Sequence, residues 1–370
     1  MQLILANRRL DAIGGSETYL LTVADHLQRL GHDVTLFGLE TGATARVAEA
    51  RGLQVQTQAD RLPSRADATI CQDSEVAYTL SVRYPDAARL FVAHSVCFEI
   101  QSPPQVPGAV NAVVVLNDRV RRHCEAMAHT PEVARLRQPV DPLRFAFAAG
   151  PDGLRQRRVL ALSNNLAGAR LAMLAQACRR LGLELDLVGR HGRISESPEH
   201  EIGRADIVVG AGRCVIEAMA AGKPAYVYDI DGGDGWVDPQ SYAALEANGF
   251  AGTATDDAID TDRLERDLAA VDPATGEANR DLARRHHDAE RHAVELAKLL
   301  ERTTPAPPPP ATVLAELARL ARAQRRAEEW AMATSGENHR LLRQIDRITS
   351  GGSYRLARAI GRPVAWLRRR

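Results

Sequence analysis

The first forty residues carry the pattern that most limits the fold. Leu3-Ile4-Leu5-Ala6 is a short apolar run, followed by the turn Ala12-Ile13-Gly14-Gly15-Ser16. From Glu17 the apolar positions Leu20, Val23, Ala24, Leu27 and Leu30 recur at helical spacing until Gly31. Val34-Thr35-Leu36-Phe37 then reads as a second strand. Strand, glycine turn, helix, glycine, strand is a βαβ unit, which implies a parallel sheet with right-handed crossovers. The alternation continues through Ala68-Thr69-Ile70, Leu90-Phe91-Val92-Ala93 and Ala112-Val113-Val114-Val115-Leu116, the last feeding a helix over Asp118 to Ala128.

A break in composition at Phe147 to Arg157, with Gly150-Pro151-Asp152-Gly153 inside it, separates this series from a second one. There Val159-Leu160-Ala161-Leu162 is a strand and Leu171 to Leu181 a helix. Leu185 to Gly189, Asp206 to Gly210 and Ala225 to Tyr228 are strands, with a helix through Glu217 to Ala221. Two such halves predict two Rossmann-like α/β domains, residues 1–150 and 151–302, facing a cleft. Ligands in such folds sit beyond the carboxyl ends of the strands. Residues 303–311, with the run Pro307-Pro308-Pro309-Pro310, read as a stiff spacer. Residues 312–370 read as a helical, arginine-rich tail.

Charge is distributed unevenly. The 370 residues hold 47 basic and 47 acidic side chains, and only Lys223 and Lys298 among the former are lysine. The zero sum argues against a general nucleic-acid binder. Residues 312–370, however, hold thirteen arginines against five carboxylates, a net charge of +8 that the rest of the chain offsets. Leu314, Leu317, Leu320, Leu341, Leu342, Ile345 and Ile348 give the tail an apolar side, and Trp366 lies among its last arginines. A cationic amphipathic segment of this kind suits an anionic membrane surface, with self-association as the competing partner. No apolar run approaches the ~18–20 residues that cross a bilayer. The first ten residues lack the basic region and long apolar stretch of a secretory leader. Cys71, Cys97, Cys124, Cys178 and Cys214 are odd in number, widely spaced and free of CxxC pairs. They predict neither zinc nor a disulfide framework but reduced thiols in a cytoplasmic protein.

Several residues could carry chemistry. Gly14 and Gly15 stand at a helix start, where free N–H groups and the helix dipole favour a phosphate. His94 ends a strand at the cleft, placed to hydrogen-bond a sugar hydroxyl. In Asp206 to Pro224 a strand runs into Gly210-Ala211-Gly212, and a helix follows with Arg213 at its start and Glu217 within it. A glutamate there can accept both hydroxyls of a ribose, and the planar fork of Arg213 could clamp a diphosphate. Gly222-Lys223 is followed by Pro224 rather than Ser or Thr, so the segment is no phosphate-binding P-loop. Asp229 to Trp236, with Gly232, Gly233 and Gly235, reads as a cleft loop able to grip a sugar by carboxylates and stacking.

Glu217-Ala218-Met219-Ala220-Ala221-Gly222-Lys223-Pro224 resembles the second half of the signature of GT-B glycosyltransferases of the group called glycosyltransferase family 4. Gly14-Gly15-Ser16-Glu17, Leu30-Gly31-His32-Asp33-Val34, Phe91-Val92-Ala93-His94 and Gln138-Pro139-Val140-Asp141-Pro142-Leu143-Arg144-Phe145 resemble other motifs of the group, in the same order. The resemblance spans roughly residues 1–300. It implies a metal-independent hexosyltransferase-like enzyme without a cofactor. Such an enzyme moves a sugar, with retention, from a nucleotide-diphosphate donor held by the C-terminal domain to a carbohydrate or lipid-linked acceptor held by the N-terminal one. It also implies Glu217 at the donor ribose, Gly14 and Gly15 near the donor phosphates and His94 near the donor sugar; with the cationic tail, the expected place of such an enzyme is the inner membrane face.

Two positions depart from the group. Val209 stands eight residues before Glu217, where a first glutamate is usual. The strand Val159 to Leu162 leads into Ser163-Asn164-Asn165-Leu166-Ala167-Gly168-Ala169-Arg170 rather than the usual arginine and lysine that neutralise the diphosphate. Arg170 and Arg213 are therefore expected to share that catalytic duty, with Asn164 and Arg190 as further donor contacts. A non-catalytic sugar-nucleotide-binding scaffold and a sugar-nucleotide epimerase are the alternative readings.

Overall fold

The computed structural model describes residues 1–96, 98–145, 157–195, 197–255 and 257–350. Cys97, most of the predicted interdomain joint and the tail beyond Ser350 lie outside these. Residues 1–318 form one compact unit and residues 319–370 another.

The first lobe of the larger unit is built on a seven-stranded parallel sheet in the order β5-β3-β1-β6-β7-β8-β9. Its strands are β1 (Gln2–Ala6), β3 (Asp33–Phe37), β5 (Gln54–Gln56), β6 (Ala68–Cys71), β7 (Ala88–Ala93), β8 (Ala112–Val115) and β9 (Glu132–Arg135). A two-stranded pair, β2 (Arg9–Leu10) with β4 (Glu40–Thr41), lies beside it. The helices are α1 (Gly15–Arg29), α2 (Ala43–Ala50), α3 (Ser74–Arg83) and α4 (Asp118–Glu125). The strands read as unbroken apolar runs because both faces are covered. Leu3, Leu5, Leu36, Ile70 and Leu90 pack on one side with Leu20, Val23 and Leu27 of α1. Ile4, Ala6, Phe91, Val113 and Val115 pack on the other with Val76 and Leu80 of α3. Each such fully buried valine, leucine, isoleucine or phenylalanine contributes about 1.5–3 kcal/mol.

The second lobe repeats the plan on a sheet ordered β11-β10-β12-β13-β14, with β10 (Arg158–Leu162), β11 (Glu184–Val188), β12 (Ile207–Gly210), β13 (Ala225–Tyr228) and the antiparallel edge strand β14 (Gly233–Trp236). Around it lie α5 (Gly168–Leu181), α6 (Pro198–Arg204), α7 (Arg213–Ala220), α8 (Tyr242–Ala247), α9 (Thr261–Ala269) and α10 (Ala274–His286). Two Rossmann-like lobes of α/β fold are thus present as the sequence implies. In each, the strand order reverses at one point, between β1 and β6 and between β10 and β12. The loops at the carboxyl ends there supply the cleft.

Three expectations change. The helix α11 (Ala289–Arg302), assigned by sequence to the second domain, returns to the first: Ala293, Leu296, Leu299 and Leu300 join the core around α1. The proline run is docked rather than a free spacer. Arg89, 1% exposed, donates to Tyr84, Pro85, Ala87 and Gly108 carbonyls and also to the Ala306 carbonyl, which straps residues 303–310 to the first lobe. The helix α12 (Ala311–Ser350) begins inside the same unit, with Leu314 and Ala318 buried. Finally, Gly233 to Trp236 is strand, not cleft loop. Trp236 packs edge-on against Tyr226, and its indole N–H donates to the Asp267 carbonyl. The described cysteines are all free thiols.

Candidate active site between the lobes

Two adjoining cavities occupy the cleft. The larger, about 650 Å³, is lined by Gly14, Gly15, Asn164, Arg190, Arg213 and Glu217. The smaller, about 320 Å³, is lined by His94, Gln101, Arg119, Gln138, Asp231 and Asn248. Gly15, Asn165, Ala211, Arg213 and Asp229 line both. Seven of the eight residues singled out from sequence therefore converge. The exception is Arg170, whose guanidinium lies 5.3 Å from the Tyr228 ring while its carbonyl accepts from the Tyr228 hydroxyl. It lines neither cavity, though its charge reaches Asp229, which lines both.

Arg213 is also committed elsewhere. It is 9% exposed; its Nε donates to Glu217 Oε1 at 2.8 Å, Nη1 to the Pro139 carbonyl at 3.0 Å and Nη2 to Thr22 Oγ1 at 3.2 Å. One guanidinium thus joins α7, the interlobe segment and α1. Spacing explains the pair: residues four apart on a helix are neighbours. The arginine expected to clamp a phosphate instead holds the glutamate expected to hold a ribose. Burial pushes the Glu217 carboxyl above its ordinary range, and the Arg213 charge opposes the shift.

The α1 start carries a carboxyl of its own. Burial raises the Glu17 carboxyl, whose Oε1 accepts from Asn7 Nδ2 at 3.1 Å. Its Oε2 lies 2.6 Å from where a β-carbon on Gly14 would stand. Gly14 and Gly15 both line the larger cavity beside this carboxyl. Neither α1 nor α7 has a side-chain cap, whereas Asn117 caps α4 and Asp73 caps α3. Backbone donors at the two uncapped starts are available to a ligand. At α7 the turn is tight: Gly212 adopts φ +65°, and only Ala211 and Gly212 separate β12 from the helix. Val209, eight residues before Glu217, is fully buried in the core of the second lobe with Ile207 and Val159, out of reach of any ligand.

His94 sits where β7 ends. Burial, with the Arg213 charge adding to it, pulls its pKa down to about 3, so the ring is neutral near pH 7. Its Nε2 is enclosed without a partner, and the edge of Tyr19 meets the ring at 5.0 Å between centroids. Tyr19 in turn belongs to a paired arrangement at the interlobe segment. His292 Nδ1 donates to the Arg137 carbonyl (2.9 Å), and its Nε2 accepts from the Tyr19 hydroxyl (2.9 Å). His287 Nδ1 donates to the Gln138 carbonyl (2.8 Å), and its Nε2 accepts from Tyr242 (3.0 Å). A carbonyl only accepts, so the tautomers are fixed by these partners. Three successive carbonyls, of Arg137, Gln138 and Pro139, are thereby held by one residue each.

Asn164 Oδ1 accepts from the Arg190 N–H at 3.1 Å, which ties the β10 and β11 loops together. The exposed Arg190 guanidinium makes no hydrogen bond or ion pair among the described residues. Sequence reading singled out neither Ser163, whose hydroxyl donates to Asp229 at 2.8 Å, nor Arg119. Both follow a strand, and that position was the only available signal. Among the described residues no group of three or more His, Cys, Asp or Glu side chains could hold a metal ion, and no helix is long and apolar enough to cross a membrane.

The chain matches no protein-family model and no curated protein. Solved structures do resemble it. Anabaena HepE in complex with UDP-glucose aligns with TM-score 0.55 and 13% identity over 81% of this chain and 99% of that one. WaaG, a glycosyltransferase involved in lipopolysaccharide biosynthesis, aligns with TM-score 0.52 and 15% identity over 80% and 99%. The chain therefore has the GT-B fold.

Proposed function

We propose that this GT-B chain is a glycosyltransferase that moves a sugar from a nucleoside-diphosphate donor to a carbohydrate acceptor. One observation carries the reading. The larger cavity brings Glu217, held by Arg213, together with the uncapped α1 and α7 starts at the carboxyl ends of both sheets. Glu217 accepts the ribose hydroxyls, and Arg213 orients its carboxyl while opposing the upward pull of burial on its pKa. When the sugar–phosphate bond lengthens, negative charge grows on the departing diphosphate; the backbone donors and Arg190 meet it, without a metal or cofactor. Preorganised donors of this kind commonly contribute ~10²–10³ in rate each. The neutral His94 borders the donor sugar, and the carboxamides of Gln101, Gln138 and Asn248 in the smaller cavity suit acceptor hydroxyls. That HepE is solved with UDP-glucose supports a sugar nucleotide as the donor. Retention, and a lipid-linked form of the acceptor, rest on the family resemblance.

A second reading, a sugar-nucleotide-binding protein without turnover, is favoured by the charge of the larger cavity. Asp11, Glu217 and Asp229 there offset Arg190 and Arg213. Incubating the full chain with a panel of sugar nucleotides, with and without oligosaccharides, separates the two. Transfer predicts acceptor-dependent release of nucleoside diphosphate that Glu217→Ala abolishes. Binding without release under every condition supports the second reading and ends the first.

A further inference from the structure

We propose that α12 pairs with the α12 of a second copy of this chain as a parallel two-stranded coiled coil. Residues 316–350 make five heptads in one register. Positions a are Leu317, Gln324, Ala331, Asn338 and Ile345; positions d are Leu320, Ala327, Thr334, Leu341 and Ile348. The seven arginines of the stretch, Arg319, Arg322, Arg325, Arg326, Arg340, Arg343 and Arg347, all fall at b, c or f, and none falls at a, d, e or g. A cation-free seam that keeps a seven-residue period is the mark of supercoiled helices.

The period also separates a second copy from a lipid surface. On a straight helix a seven-residue repeat drifts ~20° per heptad, so Leu317 and Ile345, both at a, would stand about 80° apart. A flat bilayer cannot follow that drift, but a partner helix that supercoils can. The seam is also polar in its middle, at Gln324, Thr334 and Asn338, which disfavours insertion among acyl chains. Asn at a instead pairs with its own copy, and it does so when the helices are parallel and in register. Where side chains are described, the seam is open: Leu320 is 48% exposed, and Trp330, at the flanking g position, 72%. The Arg325 guanidinium meets Glu329 at 2.7 Å, both away from the seam.

Light scattering and analytical ultracentrifugation of the full chain test this. The expected species is twice the 40.3 kDa of the chain, and Leu341→Asp/Ile345→Asp should weaken the dimer by roughly 100-fold or more. Asn338→Leu should tighten association or raise its order, a gain that no misfolding would imitate. Ala331→Cys should cross-link its copy on oxidation, beyond any cross-linking of the unaltered protein. A monomer at all concentrations, or a dimer indifferent to the double substitution, would overturn the proposal. So would a monomer that co-sediments with phosphatidylglycerol vesicles through these same residues.

Discussion

Replacing Arg213 with methionine tests the arrangement at the centre of the cleft. The substitution keeps the stem and removes the charge. It leaves the Pro139 carbonyl and Thr22 hydroxyl without their donor and Glu217 buried without its counter-charge. Removing one partner of a buried ion pair costs ~3–5 kcal/mol. At ~2–4 °C per kcal/mol for a large domain, melting should fall by about 6–20 °C. The loss should depend on pH in a defined direction. Burial already raises the Glu217 carboxyl, and loss of Arg213 raises it further, so the folded variant binds a proton more readily than the unfolded chain does. Stability of the variant then falls as pH rises through that window, and its deficit against the parent should be smaller at pH 5 than at pH 8. Arg213→Met/Glu217→Gln should recover much of the loss, because no uncompensated charge remains. Differential scanning calorimetry of the four proteins closes the cycle. A deficit below about 1 kcal/mol that neither pH nor the second substitution alters would refute this reasoning.

Val209→Glu places a carboxylate in the core of the second lobe; we expect a loss of at least about 3 kcal/mol by chemical denaturation, with no gain in transfer. Arg89→Met removes the donor that serves five carbonyls and should cost about 2–4 kcal/mol. Limited proteolysis should then cut first within residues 303–310.

Much of the fold is legible because strands covered on both faces read as apolar runs: Leu3 to Ala6 and Ala112 to Val115 need no tertiary information. The return of α11 to the first lobe is not legible, since an amphipathic helix does not say which sheet it covers. Gly233 to Trp236 hides a strand, because glycines read as a turn unless an edge partner such as β13 is known. The motif singles out Glu217 and the end of β7 singles out His94, and each borders a cleft cavity. Arg213 shows the limit most clearly. An arginine at a helix start has the same local sequence whether its fork meets a phosphate or a carboxylate, a carbonyl and a hydroxyl. Only the tertiary placement of Thr22 and the Pro139 carbonyl beside the guanidinium distinguishes them.

The account stands most directly on calorimetric titration of the full chain with nucleoside diphosphates, beside the matching monophosphates. It predicts saturable binding of at least one diphosphate, weaker by tenfold or more for its monophosphate and lost in Glu217→Ala titrated at a temperature where that variant is still folded. Equal affinity for mono- and diphosphate, or full binding by that variant, would contradict it.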